Sequence, residues 1–138
     1  YDQPLSLTQE RVKLNGWAIE CRIVAESPLN DFRPSPGKIT NIIFPGGNGV
    51  RLDTHIYNGY VVPPYYDSLL AKLITYAPTR LEAIRKMRVA LEQFIIDGIE
   101  TNIEMLYLLM HNPDFVRGVY DTNFVAKFVE LMRVDSNE

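Results

Sequence analysis

The sequence predicts an α+β fold: an antiparallel sheet of N-terminal strands and hairpins, covered by about three C-terminal helices. Two observations carry this. Residues 17–24 alternate apolar and polar with period two, the mark of a half-buried strand. From residue 79 onward the apolar spacing changes to three and four, the mark of helices packed by one face. Strands come first and helices follow, which is the α+β order rather than an alternating one.

Taken in order, the chain opens on a polar stretch, 1–15, that reads as a connecting segment. In the first strand Trp17, Ile19, Cys21 and Ile23 alternate with Ala18, Glu20, Arg22 and Val24. Glu20 and Arg22 therefore share the far face, either solvated or ion-paired against a neighbouring domain. "ESPLNDFRPSPGK" is a loop, because its three prolines exclude a central strand and restrict the residues before them. "ITNIIF" is the next strand. Asn48-Gly49 is a good type I′ pair, so "VRLDTHI" is expected to return as its hairpin partner. Alternation places Val50, Leu52 and Thr54 on one face of that strand and Arg51, Asp53 and His55 on the other. "YNGYVVPPYYDS" reads as a loop or short edge strand, since Pro63-Pro64 cannot join a sheet interior. "LLAKLITYA" is a buried strand, with room for one helical turn before it.

Thr79 and Glu82 form a capping box before Leu81, Ile84, Met87, Leu91 and Phe94, which predicts a helix over about 80–94. Asp97-Gly98 ends it. "TNIEMLYLLMHN" is a second helix, with Thr101 or Asn102 as its cap and Pro113 beyond its end. "NPDFVRGVYDT" is a loop with a half-turn, and "NFVAKFVELMRV" is a third helix.

A length of 138 residues with 46% hydrophobic residues suits one domain with its own core. The 22% of charged residues mixes both signs and leaves a net charge of −3, so nucleic acid is not an expected partner. "RLEAIRKMR" reads as the wet face of a helix. No stretch approaches the ~20 apolar residues of a membrane span, so no membrane partner is expected either. The lone Cys21 cannot form an internal disulfide and fits a reducing, cytoplasmic setting. The chain begins at Tyr1 rather than Met and reads as a piece of a longer one, while "VDSNE" resembles a natural C-terminus.

Most catalytic constellations are missing from the sequence. It has no phosphate loop, dinucleotide fingerprint or nucleophile elbow. His55 and His111 lie far apart without cysteines nearby, which argues against zinc. Asp53 and Asp67 could pair as carboxylates, but nothing in the sequence brings them together. "GGNG" could cradle an anion through backbone N–H groups or serve only as a turn. Arg51, at the exit of that turn, is the one candidate anion-binding side chain. A guanidinium is permanently charged and presents a planar fork suited to carboxylate, phosphate or a developing oxyanion.

Four blocks, "GWAIECRIVAE", "FRPSPGKI", "GGNGVRLDTHIYNGYVVPPYYDSLLAKLI" and "IIDGIETNIEML", occur in that order. Together they resemble the C-terminal domain of biotin carboxylase, from about Pro4 to about Lys127. The resemblance implies part of an enzyme that uses ATP and bicarbonate to carboxylate a ureido nitrogen of biotin. It implies that Arg51, matching the family's arginine after G-x-G-V, is both the catalytic residue and the biotin- and bicarbonate-binding residue of this chain. The family's ATP site, its magnesium or manganese ligands and its general base belong to a preceding ATP-grasp region whose motifs do not occur here. The chain is thus expected to hold no cofactor itself and to be inactive alone. Its expected partners are that ATP-grasp region, a second copy of the parent enzyme and the biotin carboxyl carrier protein. No Met-Lys-Met biotin-attachment motif follows, so a carrier on a separate chain is expected if the end is natural. "RLDT" looks more like pyruvate-carboxylase-type chains than the bacterial acetyl-CoA carboxylase form, which leaves the final acceptor open. A purely structural or oligomerisation role is the alternative.

Overall fold

A computed structural model describes residues 3–65 and 67–135. The readings made on Tyr1, Tyr66 and the last three residues lie outside the described residues. The fold is α+β. A three-stranded antiparallel sheet is formed by β1 (Trp17–Val24), β8 (Leu69–Ala77) and β6 (Val50–Thr54), in the spatial order β1-β8-β6. Three two-stranded antiparallel pairs surround it. These are β2 (Glu26–Ser27) with β3 (Arg33–Pro34), β4 (Gly37–Lys38) with β7 (Val61–Val62), and β5 (Asn41–Ile43) with β9 (Ile95–Asp97). Four helices follow or interleave: α1 (Arg80–Gln93), α2 (Ile103–His111), the short α3 (Pro113–Arg117) and α4 (Phe124–Asp135). The half-turn expected after residue 112 is α3, so the three long helices fall where the periodicity placed them.

The period-two pattern of β1 explains its seat. Cys21 and Ile23 are buried against Ala71 and Leu73 of β8 and against Ile84, Met87 and Leu91 of α1. Each such side chain contributes about 1.5–3 kcal/mol on leaving water. A smaller second core joins Ala25, Ile39, Ile56, Val62 and Leu70 under the β4–β7 pair. Helix α1 starts with the expected capping box: Thr79 accepts from the Glu82 N–H, and Glu82 accepts from the Thr79 N–H. Two of its arginines are not merely solvated. Arg80 donates to the carbonyls of Phe115 and Val116 at 2.7 and 2.6 Å, and Arg88 donates to that of Met110. These carbonyls end α3 and α2, where a cation and donor are both favoured.

Three expectations are corrected. The strand "ITNIIF" shortens to β5 and does not form a hairpin with β6. Instead β5 pairs with β9, Asn41 opposite Asp97, while β6 pairs with β8, Arg51 opposite Ile74. The turn is not type I′ either, because positive φ falls at Gly47 (130°) and Gly49 (74°) rather than at Asn48. Pro45 is buried, Phe44 meets Phe94 edge-on, and the chain is carried from one sheet to the other. Second, α1 ends at Gln93, as the expected helix over about 80–94 does, but residues 95–97, ahead of Gly98, form an unexpected strand. Ile42 and Ile96, opposite one another, both pack against the two cores. Gly98, with φ of 99°, permits the close pass, since a Cβ there would sit 2.3 Å from the Lys38 carbonyl oxygen. Third, Leu81 is exposed rather than part of the buried stripe, and Trp17 is 53% exposed at the sheet edge.

Cys21 is buried on the core face of β1, as its alternation predicts. Burial, with a smaller contribution from Glu20, pushes its thiol from 9.0 up to about 12. Between those values the folded chain keeps a proton that the unfolded chain loses. The thiol's contribution to stability is therefore complete below pH 9 and declines as the pH rises towards 12. Iodoacetamide at pH 8 is expected to leave native Cys21 unmodified and to label it only in denaturant. Labelling of the native state at the rate of a free thiol would contradict this burial.

Candidate functional site

The three-stranded sheet has one face on the helices. Ile19, Cys21, Ile23, Leu73, Val50 and Leu52 point into that core. Alternation therefore turns Glu20, Arg22, Lys72, Ile74, Arg51 and Asp53 to the opposite face. The register sets them in two cross-strand rows. One is Glu20, Ile74 and Arg51, and the other is Arg22, Lys72 and Asp53. This places Arg51 and Asp53 as the sequence predicts.

The glycine turn fixes where Arg51 stands. The Gly49 carbonyl accepts from the Tyr76 N–H at 2.8 Å, and the Val50 N–H donates to the Gly47 carbonyl at 3.2 Å. Lys86 Nζ reaches the Tyr76 carbonyl at 3.1 Å. A Cβ on Gly49 would lie 2.5 Å from the Tyr76 carbonyl oxygen and 2.7 Å from Lys86 Nζ, at a φ of 74° that side chains avoid. Only glycine lets β6 start this close to the end of β8. The concavity beside the turn, about 300 Å³, is lined by Val50, Val89 and Ala90 as well as Arg85 and Lys86. With the ammonium of Lys86 engaged on Tyr76, the turn works as a strand anchor, and the candidate anion-binding side chain, Arg51, lies two residues on.

There Arg51 is 73% exposed and faces Asp53, which is 44% exposed. Nε donates to Asp53 Oδ1 at 2.9 Å, and Nη2 lies 2.9 Å from Oδ2, a two-pronged pair. The hydrogen bond and the charge of Asp53 raise the Arg51 pKa, so the guanidinium stays charged throughout. The same hydrogen bond lowers the Asp53 pKa; desolvation opposes it, and the charges of Arg51 and Lys72 add smaller downward contributions.

The other sequence candidates do not join this pair. Asp67 lies 3.9 Å from Arg22, so Asp53 and Asp67 each face a different arginine rather than one another. His55 meets the Tyr60 ring edge-on beside an open pocket of about 400 Å³ lined also by Asp67. The Nδ1 of His111 is 2.9 Å from the Tyr107 carbonyl one turn back in α2. A larger concavity of about 550 Å³, between Pro28–Asn30 and the start of α2, carries Glu100 and Glu104, the wrong charge for an anion. Among the described residues no three His, Cys, Asp or Glu side chains are placed to hold a metal ion. Nor is any helix of the described residues long and apolar enough to cross a membrane.

Sequence reading missed the direct Arg51–Asp53 contact. The signal was present as R-x-D, because residues two apart on a strand share a face.

The described residues thus form an α+β domain whose open sheet face carries the Arg51–Asp53 pair beside the glycine turn. The chain belongs to the biotin carboxylase C-terminal domain family, whose profile matches residues 20–127. It is 52% identical over 124 residues to biotin carboxylase 1 of Bacillus subtilis, covering 90% of this chain and 28% of that protein. It is 47% identical over 126 residues to a pyruvate carboxylase subunit of Methanothermobacter thermautotrophicus, covering 91% of this chain and 26% of that one. Among solved structures, the biotin carboxylase domain of the Hydrogenobacter thermophilus 2-oxoglutarate carboxylase superposes with a TM-score of 0.88 at 42% identity. The match covers 91% of this chain and 28% of that one. The chain thus spans only 26–28% of the length of these three relatives. Because these relatives include both biotin carboxylases and a pyruvate carboxylase subunit, the similarity does not select a final acceptor.

Proposed function

We propose that this chain serves an ATP- and bicarbonate-dependent biotin carboxylase by presenting Arg51 to the reacting biotin. In this reading the ATP-grasp region of the same enzyme holds the nucleotide with magnesium or manganese and makes carboxyphosphate. Biotin arrives on its carrier protein and receives the carboxyl group at a ureido nitrogen. When that nitrogen loses its proton, negative charge moves to the ureido oxygen. A fixed guanidinium within hydrogen-bonding distance stabilises that charge as it develops. Arg51 acts by charge and donors alone, since a guanidinium is permanently protonated and cannot serve as a base.

The observation that carries the proposal is the place of Arg51. It lies on the open face of the sheet, beside a turn only glycine can make, with part of its fork unengaged. The test is biotin-dependent ADP release by the intact enzyme, native against Arg51→Ala, with ATP binding and assembly measured alongside. Alone, this chain is expected to bind no ATP and turn none over. Hydrolysis above background by the purified domain would contradict that division of labour.

The ion pair with Asp53 also favours a second reading, in which the domain only supports assembly of the dimeric enzyme and Arg51 is a surface salt bridge. The same substitution separates the two. A supporting arginine would cost assembly or stability and spare turnover per assembled enzyme.

A further inference from the structure

Within the reading of Arg51 just given, we infer that Asp53 is the positioning residue that selects which edge of the guanidinium meets the oxyanion. A guanidinium has five N–H donors in a planar fork and can take an acceptor either side-on, through Nε and one Nη, or end-on, through both Nη groups. Asp53 occupies the side-on edge through Nε and Nη2. Nε is hydrogen-bonded and Nη2 is in ion-pair contact on that edge, so both N–H groups of Nη1 and the outward one of Nη2 face away from Asp53. That leaves the end-on edge as the one that can receive a second, two-pronged acceptor.

The surrounding sheet supports this division. Across β8 the residue opposite Arg51 is the neutral Ile74, so no cross-strand charge competes for the fork there. Opposite Asp53 is Lys72, which in turn stands opposite Arg22. Two cations, Arg51 and Lys72, thus favour the ionised form of this carboxylate. An unclamped arginine on an open strand face would sample many rotamers, and each would have to be frozen when the charge develops. Fixing the plane and edge beforehand lowers that cost, the ordinary advantage of a preorganised donor.

The test uses the intact carboxylase with free biotin as acceptor and compares Asp53→Asn, Asp53→Glu and Arg51→Ala. In Asp53→Asn the amide keeps one acceptor and turns an N–H towards the second guanidinium N–H, so the two-pronged clamp cannot form. The expected result is a fall in kcat of about tenfold to a hundredfold. KM for ATP and thermal stability should be unchanged, and Asp53→Glu should recover most of the activity. If Arg51→Ala is inactive while Asp53→Asn turns over like the native enzyme, the edge-selection role is overturned and the Arg51 assignment stands. It is equally overturned if Asp53→Glu fails to recover activity, or if Asp53→Asn loses stability in proportion to kcat. If Arg51→Ala itself is fully active, the underlying reading falls, and this inference with it.

Discussion

Arg51→Ala in the intact enzyme is expected to lower the rate of biotin carboxylation by roughly a hundredfold to a thousandfold, the usual loss when one donor to a developing oxyanion is removed. The fold should not notice. The side chain is 73% exposed, its one ion pair is on the surface, and nothing in either core rests on it. ATP affinity, assembly and melting temperature are therefore predicted to stay at native values while kcat falls. Arg51→Lys is the more demanding comparison. It keeps the charge but replaces a planar fork by a point donor, so it cannot hold Asp53 and an oxyanion on two separate edges. It should recover only a small part of the lost rate. Full recovery by lysine would mean that charge alone matters and that the fork geometry is incidental. Unchanged turnover in the alanine variant would leave the domain as scaffold.

How far the sequence announces this site depends on the range of the forces that make it. The face of Arg51 is legible because alternation along five residues of β6 is a local property. So is the capping box at Thr79, written within four residues, and the burial of Cys21. The partner of β6 is not legible. The Asn48-Gly49 pair matches the hairpin pattern, yet pairing is decided by where β5 and β6 bury their apolar faces. That decision involves β8 and β9, up to 56 residues away, as in the hydrogen bond from Asn41 to Asp97. The strand at residues 95–97 is hidden for the same reason. Ile95 and Ile96 continue the apolar run of α1, and only their partner at 41–43 makes them extended. The Arg51–Asp53 contact lies between these cases. Both residues are readable on one face, but a polar face carrying five charged residues offers several pairings, and register is needed to choose.

Asn102 is where sequence reading found the right residue in the wrong role, and it carries the second large expected effect. The residue stands at the N-cap position of α2, as predicted, but its side chain makes no capping hydrogen bond. It turns instead to the irregular end of β1, where the register with β8 slips between Ile23 and Val24. There Oδ1 accepts from the Val24 N–H at 2.9 Å, and Nδ2 donates to the Arg22 carbonyl at 3.0 Å. The Asn102 N–H adds a longer bond of 3.3 Å to the Val24 carbonyl. A strand that slips register leaves backbone groups without ladder partners, and a side-chain amide, carrying both donor and acceptor, is suited to repair it. Asn102 is itself buried, so in Asn102→Ala water would reach the two orphaned groups only in part. At about 1–3 kcal/mol for each buried unsatisfied group, the expected loss is about 2–4 kcal/mol. It should appear as a lower urea midpoint with an unchanged slope. Asn102→Asp separates the two hydrogen bonds. It keeps the acceptor for Val24 but sets a carboxylate oxygen against the Arg22 carbonyl, so it should destabilise as well, despite aspartate being as good a helix cap as asparagine. If Asn102→Asp were as stable as the native chain, the residue would be acting as an ordinary cap, and the bridge to β1 would be energetically idle. Neither substitution touches Arg51 or Asp53. Turnover per folded enzyme is therefore expected to survive the loss of stability, the reverse of the outcome at Arg51.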